Sequence, residues 1–506
     1  MSLSDRASTE TKAAAAETSR FVDASTRAWI LAAAVICIFM AAIEGTVVAT
    51  AMPTIVSQLG DFDLFSWVFS TYFLAQAVTI PLGGRFADLF GRKIVLFFGL
   101  GMFLVGSSLC GFAPDMVLLI VCRIVQGVGA GCMMPAAQTL ISDIYPPAIR
   151  ARMQGYLSSI WASAAICGPL LGAFLVTTLS WRWIFWVNVP LGIAAILLLS
   201  LVLRETTERR PHQIDYLGSA LMTLGIGTLI FALVQATTLG LIAALALMTL
   251  AAALLALLYV HERRAAEPIM PLTLWRNPVV VASNIACLTV GAITMSASAF
   301  LPAYVQGVMG RSPLIAGYVV SVSSVTWMFG SAAGGRIMLR SSYRLAATIG
   351  GCIVICGSLA LITLDPARGP LWAATGTALT GLGMGLFQNT FFLAAQASVE
   401  RSDRGAATAS VLFSRILGQT VGTALFGGIV NVSLADRIGG NAVTRIMDPA
   451  LRHSLSTAEN APLMLAIAAA LQHVYLASGL LALFGLAATL GLPRGLSPTR
   501  GATKTK

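Results

Sequence analysis

Apolar residues in this chain come in long unbroken blocks separated by short stretches of Gly, Pro and charged residues. A hydrocarbon layer about 30 Å thick takes roughly 20 residues of helix. At that length the blocks predict about fourteen spanning helices, at 28–52, 66–82, 94–112, 116–141, 155–178, 183–203, 214–235, 239–260, 279–306, 313–334, 346–364, 371–397, 407–431 and 462–491. The two-residue alternation of an outer-membrane barrel is absent, and lipid offers the backbone no partner outside itself, so helices are the expected elements. The fold class is therefore all-α integral membrane.

Within these blocks three glycine patterns recur in order. GGR at Gly83 to Arg85 returns at Gly334 to Arg336, QGVGAG from Gln126 returns as TGLGMG from Thr380, and GPLLG from Gly168 returns as GQTVG from Gly418. Three matches at a shift of about 250 residues indicate two homologous halves. The organisation expected is a tail at 1–27, a six-helix half at 28–203, an inserted helix pair with its flanking loops at 204–278, a second six-helix half at 279–492 and a tail at 493–506. Parallel half-repeats that enclose a site at the membrane midplane are a transporter architecture.

Composition agrees: 57% of the 506 residues are hydrophobic and 10% are charged, far from the balance of a soluble domain. The net charge of +11 could suggest nucleic acid, but its distribution argues otherwise. Of the 32 basic residues, Arg182, Arg311, Arg368, Arg437, Arg445 and Arg452 fall on one side, Arg123 and Arg415 fall within helices, and the rest fall on the side of the N-terminus. That asymmetry is the positive-inside pattern; it places both termini in the cytoplasm and predicts a multi-pass protein of the cytoplasmic (inner) membrane, with lipid and not nucleic acid as its charged partner. Residues 1–27 lack the form of a cleaved signal. The eight cysteines lie inside apolar blocks and read as packing residues. Four scattered histidines offer no metal set, no phosphate-binding GxxxxGK[ST] loop occurs, and no cluster of catalytic groups is present. The protein is expected to be no enzyme, to use no cofactor beyond a proton gradient and to act as a monomer.

The motifs resemble the major facilitator superfamily. GGRFADLFGRK (Gly83 to Lys93) is similar to its loop between helices 2 and 3, RIVQGVGAG (Arg123 to Gly131) to its helix 4 motif, and AICGPLLGA (Ala165 to Ala173) to its helix 5 antiporter motif. EGTVVATAMPTI from Glu44 and WRWIFWVNVPLG from Trp181 resemble the fourteen-helix drug:proton antiporter branch, a group of multidrug efflux transporters. Two departures stand out: the helix 1 acid, commonly aspartate in that branch, is Glu44, and the second-half copy of the loop has Leu339 where the first has Asp88. The resemblance implies a cytoplasmic gate of Gly84, Asp88, Gly91, Arg92 and Lys93 that latches one state, and a helix 5 kink at Gly168, Pro169 and Gly172 that seals the path against proton leak. It also places Arg123 near the proton path.

The residues themselves point to one chemistry. Glu44 is the acid well inside an apolar block, and no partner for it is obvious on its own helix. Water exclusion favours the neutral form of a carboxyl group, because only the charged form loses solvation. Proton and cationic cargo are accordingly expected to compete at Glu44, with Arg123 at a compatible depth. Exchange of one proton for one monovalent cation moves no net charge, so the drive is expected to be the pH gradient. The cavity candidates are Tyr72, Gln76, Gln126, Trp161, Tyr304, Trp327, Phe387 and Asn389, an aromatic and sparsely polar lining that suits small lipophilic cations or neutral drugs. Arg415 is expected to reach the cytoplasmic interface, His473 to be a packed, hydrogen-bonded histidine, and segment 432–461 to form a long outer connection. Export of an endogenous lipid, siderophore or metabolite is the alternative that the same cavity would serve.

Overall fold

In the computed structural model each apolar block is a helix; the structure describes residues 24–144, 147–202, 215–235, 239–265, 274–400, 404–435 and 457–492. In chain order the helices are α1 (Ala24–Leu59), α2 (Phe65–Phe90), α3 (Arg92–Phe112), α4 (Met116–Ile144), α5 (Pro147–Thr178) and α6 (Trp183–Val202). The inserted pair is α7 (Tyr216–Val234) and α8 (Leu241–Glu262). Then follow α9 (Pro278–Val308), α10 (Pro313–Arg340), α11 (Tyr343–Ile362), α12 (Gly369–Ala397), α13 (Arg404–Ala435) and α14 (Thr457–Ala487). Eleven of them are long and apolar enough, among the described residues, to cross a membrane.

Several helices outrun their apolar blocks, because a backbone that leaves the hydrocarbon can stay helical in the polar interface while its side chains turn charged. The stretch GGRFADLFGRK shows this most clearly. It is not an open loop: α2 runs on to Phe90 and α3 starts at Arg92. Gly91 alone makes the corner, at φ 94°, a conformation that side chains resist. α6 is interrupted at Val187, and Pro190 lies in the first turn of its second segment, where a missing N–H costs least. α9 contains two wide turns, Ser296–Phe300 and Tyr304–Val308, on either side of Pro302, which removes one backbone donor and crowds the preceding turn.

The side of the bundle on which α1 begins is here the near side and the opposite one the far side. The sequence repeat is a structural repeat. A Cβ on Gly127 of α4 would strike the Tyr72 carbonyl of α2, and one on Gly381 of α12 would strike the Ser323 carbonyl of α10; Gly131 against Gln76 and Gly385 against Trp327 repeat the match one turn on. Glycine is needed at these positions so that backbones can touch.

The halves meet along α2 with α13 and α5 with α10. On the far side the joint is tight. Phe65 of α2 meets Phe300 of α9 at 5.5 Å between ring centroids, and Phe300 meets Phe426 of α13 edge-on at 6.1 Å. Gln306 donates to the Thr50 carbonyl (3.2 Å), and Asn431 to that of Asp63 (3.2 Å). Of the inserted pair, α7 packs on α2 and α13 and α8 packs on α7; their near ends are tied by His261 and Asp215 at 2.7 Å.

Candidate functional site

Glu44 and Arg123 are both fully buried and in direct contact. Arg123 Nη1 donates to Glu44 Oε1 at 2.5 Å and to Gln126 Oε1, one turn along α4, at 2.7 Å. Its Nε donates to the Val68 carbonyl of α2 at 3.1 Å, and its guanidinium lies 4.1 Å over the Tyr72 ring. Asn188, at the start of the second segment of α6, donates to Glu44 Oε2 at 3.0 Å and reaches Ser107 Oγ on α3 at 3.1 Å. Ser107 in turn donates to the Phe185 carbonyl (2.8 Å). One ion pair thus ties together α1, α2, α4 and α6.

A charge-assisted contact of this kind is short and strong, and in a lipid-depth interior either partner alone would be an uncompensated charge. The cluster also holds polar atoms without a partner: Arg123 Nη2, Gln126 Nε2, Asn188 Oδ1 and the Tyr72 hydroxyl. The arrangement can accept a proton on Glu44, turn an ion pair into a contact between a cation and a neutral acid, and hand Arg123 to its remaining acceptors, the Val68 carbonyl and Gln126.

Two expectations change here. Glu44 is not an open carboxylate facing cargo; Arg123 and Asn188 occupy both of its oxygens. Arg415 does not reach the near-side interface. Its guanidinium extends from α13 to lie 5.7 Å from the Trp161 ring of α5 and 5.6 Å from the Trp327 ring of α10, and its Nε is buried with no acceptor. Two cavity candidates, Trp161 and Trp327, are therefore brought together by an arginine, whereas two others, Tyr72 and Gln126, belong to the ion-pair cluster. Gln76 is buried on α2, and Asn389 donates to the Ser331 carbonyl at 3.3 Å. Tyr304 and Phe387 are buried within the second half: Tyr304 in the core that also holds Tyr475 of α14, and Phe387 against Phe391 at 4.9 Å. His473 pairs with Ser433 Oγ at 3.0 Å, but on the outer face of α14 it is exposed and not packed as expected.

In the helix 5 motif, Gly168 faces Ile43 and Thr46 of α1, Gly172 faces Val47 and Thr50, and the Pro169 carbonyl lies against Gly317 of α10. The motif thus sits between the helix of Glu44 and the other half. At the near-side corner, Gly91 makes the turn, Arg92 opens α3 and Lys93 lies 5.9 Å from the Phe97 ring. The side chains at Gly84 and Asp88, most of the connection 432–461 and the stretches 1–23 and 493–506 lie outside the described residues. Asn188 was missed by sequence reasoning; the signal for it was a lone amide amid the aromatic and apolar residues of WRWIFWVNVPLG.

Comparison with known proteins agrees with this architecture. The family model for the Major Facilitator Superfamily matches residues 34–423. Multidrug resistance protein 3 of Bacillus subtilis (strain 168) is 32% identical over 395 residues, 78% of this chain and 77% of that protein. The multidrug transporter protein MdtP of the same organism is 32% identical over 436 residues, 84% of this chain and 79% of that one. Among solved structures, a bacterial homolog of the human lysosomal transporter Spinster, crystallised inward-facing and unoccupied, superposes with a TM-score of 0.66 at 16% identity, covering 93% of this chain and 98% of that one.

Proposed function

The chain belongs to the major facilitator superfamily, and from that membership we propose that it is a proton-coupled antiporter that exports lipophilic small molecules across the cytoplasmic membrane. Members of this family are transporters and not enzymes, and the two multidrug relatives support efflux as the direction. The near side, which carries most of the basic residues, is the cytoplasmic one. The far side, where Phe65, Phe300 and Phe426 meet, is then the closed periplasmic or external end.

The observation that carries the reading is the buried Glu44–Arg123 pair. A buried ion pair is a poor source of stability, since desolvation offsets most of the attraction, so its use lies in the two states it can take. With Glu44 ionised, Arg123 clamps α1 to α4. With Glu44 protonated the attraction falls to that between a guanidinium and an uncharged acid, and α1 can shift. α1 also bears the Thr50 carbonyl that holds Gln306 of the other half, about 9 Å along the helix from Glu44 at 1.5 Å per residue. Proton uptake therefore acts on the helix that seals the far side, and cargo competes with the proton through conformation, without displacing it from the carboxylate directly.

The test is proton release or uptake by purified protein on addition of lipophilic compounds, together with efflux from proteoliposomes under an imposed pH gradient. Glu44→Gln is expected to insert and bind compounds, yet to release no proton and to lose gradient-driven efflux. Gradient-driven efflux at the wild-type rate in Glu44→Gln sinks the assignment.

A further inference from the structure

We propose that the guanidinium of Arg415, held between Trp161 and Trp327 in the space between the two halves, binds the anionic group of an aromatic, lipophilic cargo. This rests on the transporter reading, because it assigns that transporter's cargo class.

The charge balance points this way first. Glu44 and Arg123 neutralise each other, while Arg415 has neither hydrogen bond nor acidic partner among the described residues. Among the described residues the bundle interior therefore keeps one unpaired positive charge. A charge at lipid depth is costly unless something compensates it, and two ring faces compensate only in part.

Geometry points the same way. α13 packs on α2, α7, α9, α12 and α14, whereas α5 and α10 pack on each other and have no extended contact with α13. Gly291 of α9 abuts the Arg415 carbonyl, so α9 backs its main chain. The side chain nonetheless reaches one tryptophan on α5 and one on α10. To do so it must cross the interior that the two halves enclose. Its surface is only partly accessible, as suits a group lining such an interior.

The local chemistry selects the ligand. A guanidinium offers its faces to aromatic rings and its N–H edge to a planar or tetrahedral oxyanion, often through two parallel hydrogen bonds. The two tryptophans supply ring surface for an aromatic body, and the unpaired Nε supplies a donor for a carboxylate or sulfonate. A cation would be repelled by the Arg415 charge, which no acidic group balances among the described residues. The cargo expectation drawn from Glu44, a monovalent cation, is thus reversed in sign at this position.

The experiment is isothermal titration of detergent-purified full-length protein, without any gradient, using two probes of like shape and opposite charge: naphthalene-2-sulfonate and 2-naphthyltrimethylammonium. Wild type is expected to bind the sulfonate more tightly than the ammonium. Arg415→Gln is expected to lose about tenfold or more for the sulfonate, the size of a charge-assisted contact, with no loss for the ammonium; Arg415→Lys should fall between, keeping the charge but not the planar edge. The preference for the sulfonate over the ammonium should persist in Glu44→Gln whatever happens to the absolute affinities, which separates this proposal from the proton assignment. If Arg415→Gln is not monodisperse, the wild-type preference between the two probes decides alone. Equal binding of both probes, preference for the ammonium, or unchanged sulfonate affinity in Arg415→Gln overturns the proposal and leaves Arg415 as a strut between the halves.

Discussion

At the residue scale, the Glu44–Arg123 contact makes a prediction that a merely packed pair would not. Arg123→Gln leaves a buried carboxylate with Asn188 as its main donor, and removing one partner of a buried pair costs about 3–5 kcal/mol. Glu44→Gln combined with Arg123→Gln leaves no orphan charge and should recover most of that loss. Thermal unfolding of the two single variants and the double variant measures it; a double variant as unstable as Arg123→Gln alone would show that the charges are not coupled. Both members were legible in the sequence, because a charge inside an apolar block is conspicuous. Their direct contact was not, since depth along a helix says nothing about the direction a side chain takes around it. The same limit misplaced Arg415: counting residues from the start of α13 gave its approximate level, and only the fold could show that it turns inward toward two tryptophans on other helices.

At the scale of elements, the helix 5 motif is tested by bulk. Gly168 and Gly172 let α5 lie against α1 on the stretch Ile43 to Thr50, which brackets Glu44. Gly172→Leu must push the two helices apart, at about 1–3 kcal/mol for overpacking, and is expected to abolish gradient-driven efflux by shifting the helix that bears the acid. Gly101→Ala on α3, where an added Cβ meets nothing within 4 Å, is the control and should transport normally. Efflux by Gly172→Leu at the control rate would mean that the α1–α5 approach is packing without consequence. The helices themselves were almost wholly legible, because length and apolarity are what a bilayer selects. Their ends were not. GGRFADLFGRK reads as a loop by its charges and glycines, yet only Gly91 departs from helix, because Gly83 is there for close approach to α4 at Cys132 and not for a turn.

At the scale of the whole molecule, the two halves share a frame and differ in charge. Gly168 faces Ile43 where Gly418 faces Leu288, and Gly172 faces Val47 where Gly422 faces Ala292, which aligns Glu44 with Thr289. The shift between Gly127 and Gly381 aligns Arg123 with Thr377. The buried Glu44–Arg123 pair therefore belongs to the first half alone, and Arg415 to the second. That division bears on energetics. One proton moving in while one monoanion moves out carries two positive charges inward, so voltage contributes about 4.6 kcal/mol per 100 mV, twice the value for a single charge. Exchange for a monovalent cation would carry none. In proteoliposomes held at zero pH gradient, efflux of an aromatic sulfonate should accelerate when the compartment equivalent to the cytoplasm is made negative with a potassium diffusion potential, and that acceleration should vanish in Arg415→Gln. A rate indifferent to voltage would mean that no proton moves inward against the sulfonate, and would overturn the exchange of one proton for one anion.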